Sequence, residues 1–247
     1  MAGKPPGCLP KNRDAGPFTG EAQVCGSAND PLADVRGEVQ LWSMNDLADK
    51  IVTHYERHAF GWDADRRSSG WNDKRWHDRF IALLHKGSTV LDLGCGGGSP
   101  VATNLVNHGM RVTGVDSSPT LIALCRERLP DQDWIVADMR RLRLGGAFEG
   151  VLAWDSLFHL NPDDQRAMFA VFAAHAHHGA ILMFNSGPKF GEAIGSYRGD
   201  PLYHASLDTR EYNHLLAHHG FALIDYSVED QQAGGRTVWL TRSISVP

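Results

Sequence analysis

No apolar run in this sequence approaches the roughly 20 residues that a membrane helix needs, so no membrane partner is expected. Cysteine is scarce: Cys8, Cys25, Cys95 and Cys125 are scattered with no short repeated spacing. That pattern excludes a zinc knuckle or a disulfide framework, predicts no metal, and fits a reducing cytoplasm. Positive charge is not in excess either. A net charge of -5 leaves no electrostatic footprint for nucleic acid or an anionic surface. The N-terminus lacks the apolar core of a secretory signal, and its acidic residues argue against a transit peptide. No internal repeat is present. What remains is a 247-residue chain, 42% hydrophobic and 21% charged, the composition of one globular α/β domain with an appendage.

Residues 1–43 are rich in Gly and Pro and have no sustained apolar period, so they are expected to be disordered and dispensable. Residues 44–247 are expected to form one domain: a helical lid over 44–86, a core over 87–185, an insert over 186–207, and a helix with a terminal hairpin over 208–247. Leu47, Ile51, Tyr55 and His58 recur three and four apart on one helical face, and a second helical pattern runs from Lys74 to His85. Short apolar runs at 89–93, 111–116, 133–138, 150–155 and 180–185 predict five strands separated by helices. Ser118-Pro119 and Asn161-Pro162 each read as an N-cap followed by proline at the first helical position. Asp208 and Glu211 resemble a capping box. The helix after Asn161 is expected to end near Gly179, and 186–206 reads as a long irregular connection. FALIDYSVED and RTVWLTRS, joined by QQAGG, predict a closing hairpin. Strands alternating with helices imply a parallel sheet covered on both faces, with the hairpin as an antiparallel edge.

The sharpest motif is VLDLGCGGGSP, residues 90–100. Gly94, Gly96 and Gly98 allow a tight turn and close approach of a ligand to the backbone. Asp116, at the tip of the second predicted strand, suits the paired hydroxyls of a ribose. NAD and S-adenosylmethionine are both served so far, because each contains adenosine. Asp92 separates them: a carboxylate repels a pyrophosphate and attracts the ammonium of a methionine end. Asp138-Met139, ending the third strand, can meet an adenine amino group and a ring nitrogen. The plainer readings are that Asp92 bonds loop amides and that Asp138 is a turn aspartate. Cys95 reads as a small side chain beside the ligand rather than as a reactive thiol.

VLDLGCGGG, VTGVDSS, IVADM and GVLAWDSLFHL, followed by GAILMF and the hairpin, resemble over about 44–243 the class I S-adenosylmethionine-dependent methyltransferases. The resemblance implies a Rossmann-like seven-stranded mixed sheet in the order 3-2-1-4-5-7-6, its last strand antiparallel, with an N-terminal helical lid. It also implies that Gly94, Gly96, Asp116, Asp138 and Met139 contact the methyl donor, with Ser117 and Trp154 of the same motifs beside them. WDSL stands where an Asn-Pro-Pro-Tyr type motif would fall, so methylation of nucleic-acid bases or glutamine is not expected. The chain looks most like bacterial small-molecule methyltransferases, with an oxygen or nitrogen of a small molecule as acceptor. An NAD(P)-dependent oxidoreductase and a non-catalytic donor-binding module are the alternatives.

Methyl transfer is an in-line displacement that asks mainly for alignment and exclusion of water. His159 is the leading candidate for a general base or acceptor-orienting group, and Asp155 is a second candidate that also suits loop bracing. In the lid, Tyr55 or Trp62 can shield a sulfonium by cation–π contact, and Arg57 can pair with the donor carboxylate. The insert offers Tyr197, Tyr203 and His204 to an acceptor. His175, His177, His178, His218 and His219 are read as closing helices rather than binding metal, and Arg140, Arg141 and Arg143 as a solvated face.

Overall fold

A computed structural model describes residues 44–244; the expected extension over 1–43 lies outside the described residues. Three helices come first: α1 (Met44–Asp49), α2 (Ile51–Ser68) and α3 (Lys74–Ala82). Then strands and helices alternate: β1 (Thr89–Leu93), α4 (Val101–Asn107), β2 (Arg111–Asp116), α5 (Pro119–Arg128), β3 (Asp133–Val136), β4 (Phe148–Ala153), α6 (Pro162–His175) and β5 (Ala176–Ser186). A hairpin of β6 (Gly191–Tyr197) and β7 (Asp200–Ser206) follows, then α7 (Thr209–His218), β8 (Phe221–Asp230) and β9 (Arg236–Ser243).

The main sheet has seven strands in the order β3-β2-β1-β4-β5-β9-β8. Pairing is parallel from β3 through β5, and β9 runs antiparallel to both of its neighbours. With the inserted hairpin set apart, this is the sheet the sequence implied. Three of its helices begin as local chemistry dictates. Ser118, Asn161 and Asp208 accept the backbone N–H of Leu121, Asp164 and Glu211, satisfying donors that the first helical turn leaves free.

Side chains alternate across the sheet and build two cores. Leu91, Leu93, Val151, Leu182, Phe184 and Trp239 pack with Met168, Phe169 and Phe172 of α6 and Tyr212 of α7. Val90, Leu152, Ile181, Met183 and Val238 pack on the other face with Trp76 and Phe80 of α3, Leu105 of α4 and Ile122 of α5. By the same alternation Asp92 falls on the second face, and it is buried there.

Two expectations are corrected. The helix after Asn161 ends at His175, because Ala176 already pairs with Phe148 of β4; His177 and His178 therefore sit on a strand. Residues 186–206 are not irregular: β6 and β7 pair in register from Gly191↔Ser206 to Tyr197↔Asp200. Arg198 and Gly199 turn the corner with φ of 52° and 89°, the sign a two-residue hairpin loop requires at both positions. β6 is largely exposed along its length, so it lacks the alternation by which a strand is read from sequence. Among the described residues no helix is long and apolar enough to cross a membrane.

Candidate active site

An open cleft of about 1050 Å³, its mouth included, lies over the carboxyl ends of β1, β2 and β4. Its floor is the turn after β1. Gly94 holds a φ of +79°, and a Cβ there would overlap the Ser156 side chain, so both backbone and space demand glycine. Gly96 donates its N–H to Asp116 Oδ2 at 2.9 Å, while the N–H of Ser118 meets Oδ1 at 2.9 Å. Burial raises the pKa of Asp116, and those amides oppose the rise.

Asp92 sits beneath the turn. Its Oδ2 is buried with no hydrogen-bond partner among the described residues. Burial, with Asp116 nearby, pushes its carboxyl up to about 7. An unpartnered acid facing a cleft is costly in the empty protein and favourable once a cation lies against it.

Helix α2 forms one wall. Tyr55, Trp62 and Arg66 recur at spacings of seven and four, placing all three on the face that lines the cleft. The helix is fixed by its other side chains. Glu56 accepts from the Ser118 hydroxyl and from Thr120 Oγ1 at 2.6 Å. Asp63 takes both Arg128 nitrogens at 2.5 and 2.6 Å, and Arg128 also donates to the Gly97 carbonyl at 2.7 Å.

The far end of the cleft carries His159 and Asp155. His159 Nδ1 donates to the Tyr203 carbonyl at 2.9 Å, which leaves Nε2 to accept the Tyr55 hydroxyl at 2.7 Å. Burial lowers the imidazole to about 3 and raises the Tyr55 phenol well above its ordinary value, so both are neutral. Asp155 has a left-handed φ of 51° and is gripped by Arg236 through two contacts of 2.7 Å, with Asn185 Nδ2 at 2.7 Å. Burial alone would raise its carboxyl, but Arg236 holds it well below the usual range. That makes Asp155 a poor proton acceptor, and the catalytic role weighed for it is replaced by bracing.

Of the residues singled out from sequence, Asp92, Gly94, Cys95, Gly96, Asp116, Ser117, Asp138, Met139, Trp154, Tyr55 and Trp62 all line the cleft, with Asp155 and His159. Arg57 does not. It lies one helical position off, exposed, and pairs with Asp200 at 2.9 Å. Arg66 takes the place expected of Arg57 in the cleft wall, where its Nη2 also meets Asp73 at 3.1 Å. Tyr197, Tyr203 and His204 are also outside the lining. The Tyr197 ring stands edge-on to Trp62 at 5.5 Å, the Tyr203 hydroxyl donates to Glu192, and His204 packs 4.9 Å from His159. They stand behind the wall of the cleft. Arg140 is not a solvated face: it grips Asp138 and Asp164 at 2.7 and 2.8 Å and lines the cleft. Cys95 is held as a thiol by burial and by Cys125, in keeping with a passive role. The signal that would have found Arg66 is the helical period from Tyr55 through Trp62.

Residues 90–179 match the sequence family described as "Methyltransferase domain". A trans-aconitate 2-methyltransferase of Escherichia fergusonii is 42% identical over 71 residues, 28% of this chain; the match spans only 27% of that protein's length. The magnesium protoporphyrin IX methyltransferase of Synechocystis PCC 6803, solved with S-adenosylmethionine bound, superposes with a TM-score of 0.62 at 18% identity, covering 83% of this chain and 99% of its own. A Burkholderia thailandensis 1,6-didemethyltoxoflavin-N1-methyltransferase, solved with 1,6-didemethyltoxoflavin and S-adenosylhomocysteine, superposes with a TM-score of 0.61 at 18% identity, covering 88% and 94%. Residues 90–179 thus carry the methyltransferase-domain family signature, and the seven-stranded sheet has the fold of these methyltransferases.

Proposed function

We propose that the protein transfers a methyl group from S-adenosylmethionine to an oxygen or nitrogen of a small molecule. The observation that carries this reading is Asp92 Oδ2, buried beneath the floor of the cleft with no hydrogen-bond partner among the described residues. It fits an ammonium and disfavours a pyrophosphate, which speaks against a dinucleotide in the same turn.

The remaining lining completes a consistent cradle. Asp116, Asp138 and Met139 line the same cleft, which supports reading Asp116 as the partner of ribose hydroxyls and Asp138 with Met139 as partners of an adenine edge. Arg66, with guanidinium donors left after its single bond to Asp73, is suited to the donor's carboxylate. S-adenosylmethionine, when bound, supplies a methyl group already activated on a sulfonium.

What the chain adds is placement. The Tyr55–His159 pair presents a neutral polar group at the end of the cleft. Protonating an imidazole of pKa about 3 at neutral pH costs on the order of 5 kcal/mol, so the pair orients an acceptor rather than removing its proton. Tyr55 and Trp62 rings, edge-on at 5.2 Å, favour a cation beside them and keep water away. Titration calorimetry with S-adenosylhomocysteine and with NADH, followed by turnover across a panel of small hydroxyl and amine acceptors, tests the reading. Binding of the first ligand with methylated product is expected; NADH binding alone would overturn it.

A further inference from the structure

Outside the cleft, one cluster of side chains has no part in the chemistry above. His54 and His58 stand four apart on α2, one turn of helix, and Asp200 opens β7 directly after the Arg198–Gly199 turn. One ligating atom from each lies within 4.8 Å of the other two. None of the three lines the cleft. We propose that His54, His58 and Asp200 form a site for Zn2+ that clips the β6–β7 hairpin onto helix α2.

Three observations carry it. The donor set is two imidazoles and one carboxylate, which suits zinc and leaves a fourth tetrahedral position open. His54 is 8% exposed, and its Nε2 is buried without a hydrogen-bond partner among the described residues, a donor atom available where a polar group ought to be satisfied. His58 Nε2 and Asp200 Oδ2 already meet at 2.8 Å across 142 residues of sequence, so the loop and the helix are brought together before a cation arrives. The cation takes the place of the proton between them, and a small inward shift of His54 closes the triangle. Arg57 also reaches Asp200 Oδ2 at 2.9 Å, but its side chain is 64% exposed and can swing into solvent.

The clip lies next to the wall of the cleft. The Tyr197 ring stands 6.1 Å from His54, 5.5 Å from His58 and 5.5 Å from Trp62. Zinc at this point fixes the hairpin that backs Trp62, without touching donor or acceptor.

The full chain, dialysed against chelator, is titrated with Co2+ as a visible probe and then with Zn2+. One equivalent of Co2+ is expected to give d–d bands of tetrahedral intensity, and Zn2+ to displace it. Hydrogen exchange in Gly191–Ser206 is expected to slow on adding Zn2+. Asp200→Ala and His58→Gln, both at partly exposed positions, are expected to weaken Zn2+ by more than the ~10–100-fold lost with an outer-shell partner. His54→Ala is expected to do the same, with circular dichroism reporting its folding. His177→Ala with His178→Ala, at the exposed start of β5, is the control and leaves affinity unchanged. Absence of the bands at one equivalent, their survival in both Asp200→Ala and His58→Gln, or their loss in the control overturns the site.

Discussion

The Tyr55 hydroxyl donates to His159 Nε2 at 2.7 Å across 104 residues, joining helix α2 to the turn after β4. Because His159 spends its other nitrogen on the Tyr203 carbonyl, the direction of this bond is fixed. Tyr55→Phe keeps the ring against Trp62 and removes the hydroxyl. Turnover is expected to fall about 10–100-fold from misplacement of the acceptor. Affinity for S-adenosylhomocysteine is expected to change less than about threefold, since the contacts proposed for the donor's adenosine and methionine ends do not use this hydroxyl. Steady-state kinetics beside calorimetry separates the two, and a larger loss in affinity than in turnover would sink the orienting role.

Asp92 predicts a pH dependence of donor binding. Its carboxyl, raised to about 7 in the empty cleft, holds a proton below that pH, whereas a cationic amino acid group needs the carboxylate. Affinity for S-adenosylhomocysteine is therefore expected to fall as pH drops below about 7, approaching tenfold per unit, with proton release on binding in that range. Asp92→Asn is expected to bind weakly and without this slope. Calorimetry from pH 5.5 to 8.5 in buffers of differing ionisation heat reads both effects.

The Asp155–Arg236 pair predicts a pH dependence of stability in a more acidic range. Arg236 holds the Asp155 carboxyl well below its ordinary range, so its contribution is complete above the unfolded value near pH 4 and is lost as acid protonates it. Arg236→Met strands a buried carboxylate and is expected to cost about 3–5 kcal/mol in urea melts. Adding Asp155→Leu is expected to recover part of that loss. An Arg236→Met protein as stable as the parent would remove the pair from the account of the fold.

Gly94→Ala is expected to destabilise the fold and weaken donor binding together. The positive φ costs about 1–3 kcal/mol for alanine, and the new methyl overlaps Ser156. Pairing it with Ser156→Gly relieves the overlap and leaves the backbone strain, so partial rescue in thermal melts is expected. Complete rescue would show that φ at this position does not matter.

Three helix caps and the glycine turn were legible because local chemistry writes them, whereas the sheet order and several lining residues followed from the resemblance of the motifs to a known family. Ser118, Asn161 and Asp208 cap within three residues of themselves, and the turn after β1 brings its own glycines. The β6–β7 hairpin was not legible, since an exposed two-stranded ribbon has no buried face to impose a period of two. Arg57 and Arg66 differ only in which side of α2 meets the sheet, and that is set by Glu56 on Ser118 and Asp63 on Arg128, contacts that close over 62 and 65 residues. Asp155 looked like a candidate base from its place after β4. Its partner Arg236, 81 residues away, is what disarms it.

The solitary oxygen of Asp92 has a consequence beyond the cleft. A native state that leaves an acid stranded until its ligand arrives is more resistant to unfolding when loaded than when empty, by an amount that grows with ligand concentration over its dissociation constant. Unfolded chains are the ones that proteases take. On the proposed function, abundance of the methyl donor is thus expected to lengthen the survival of each molecule against proteases.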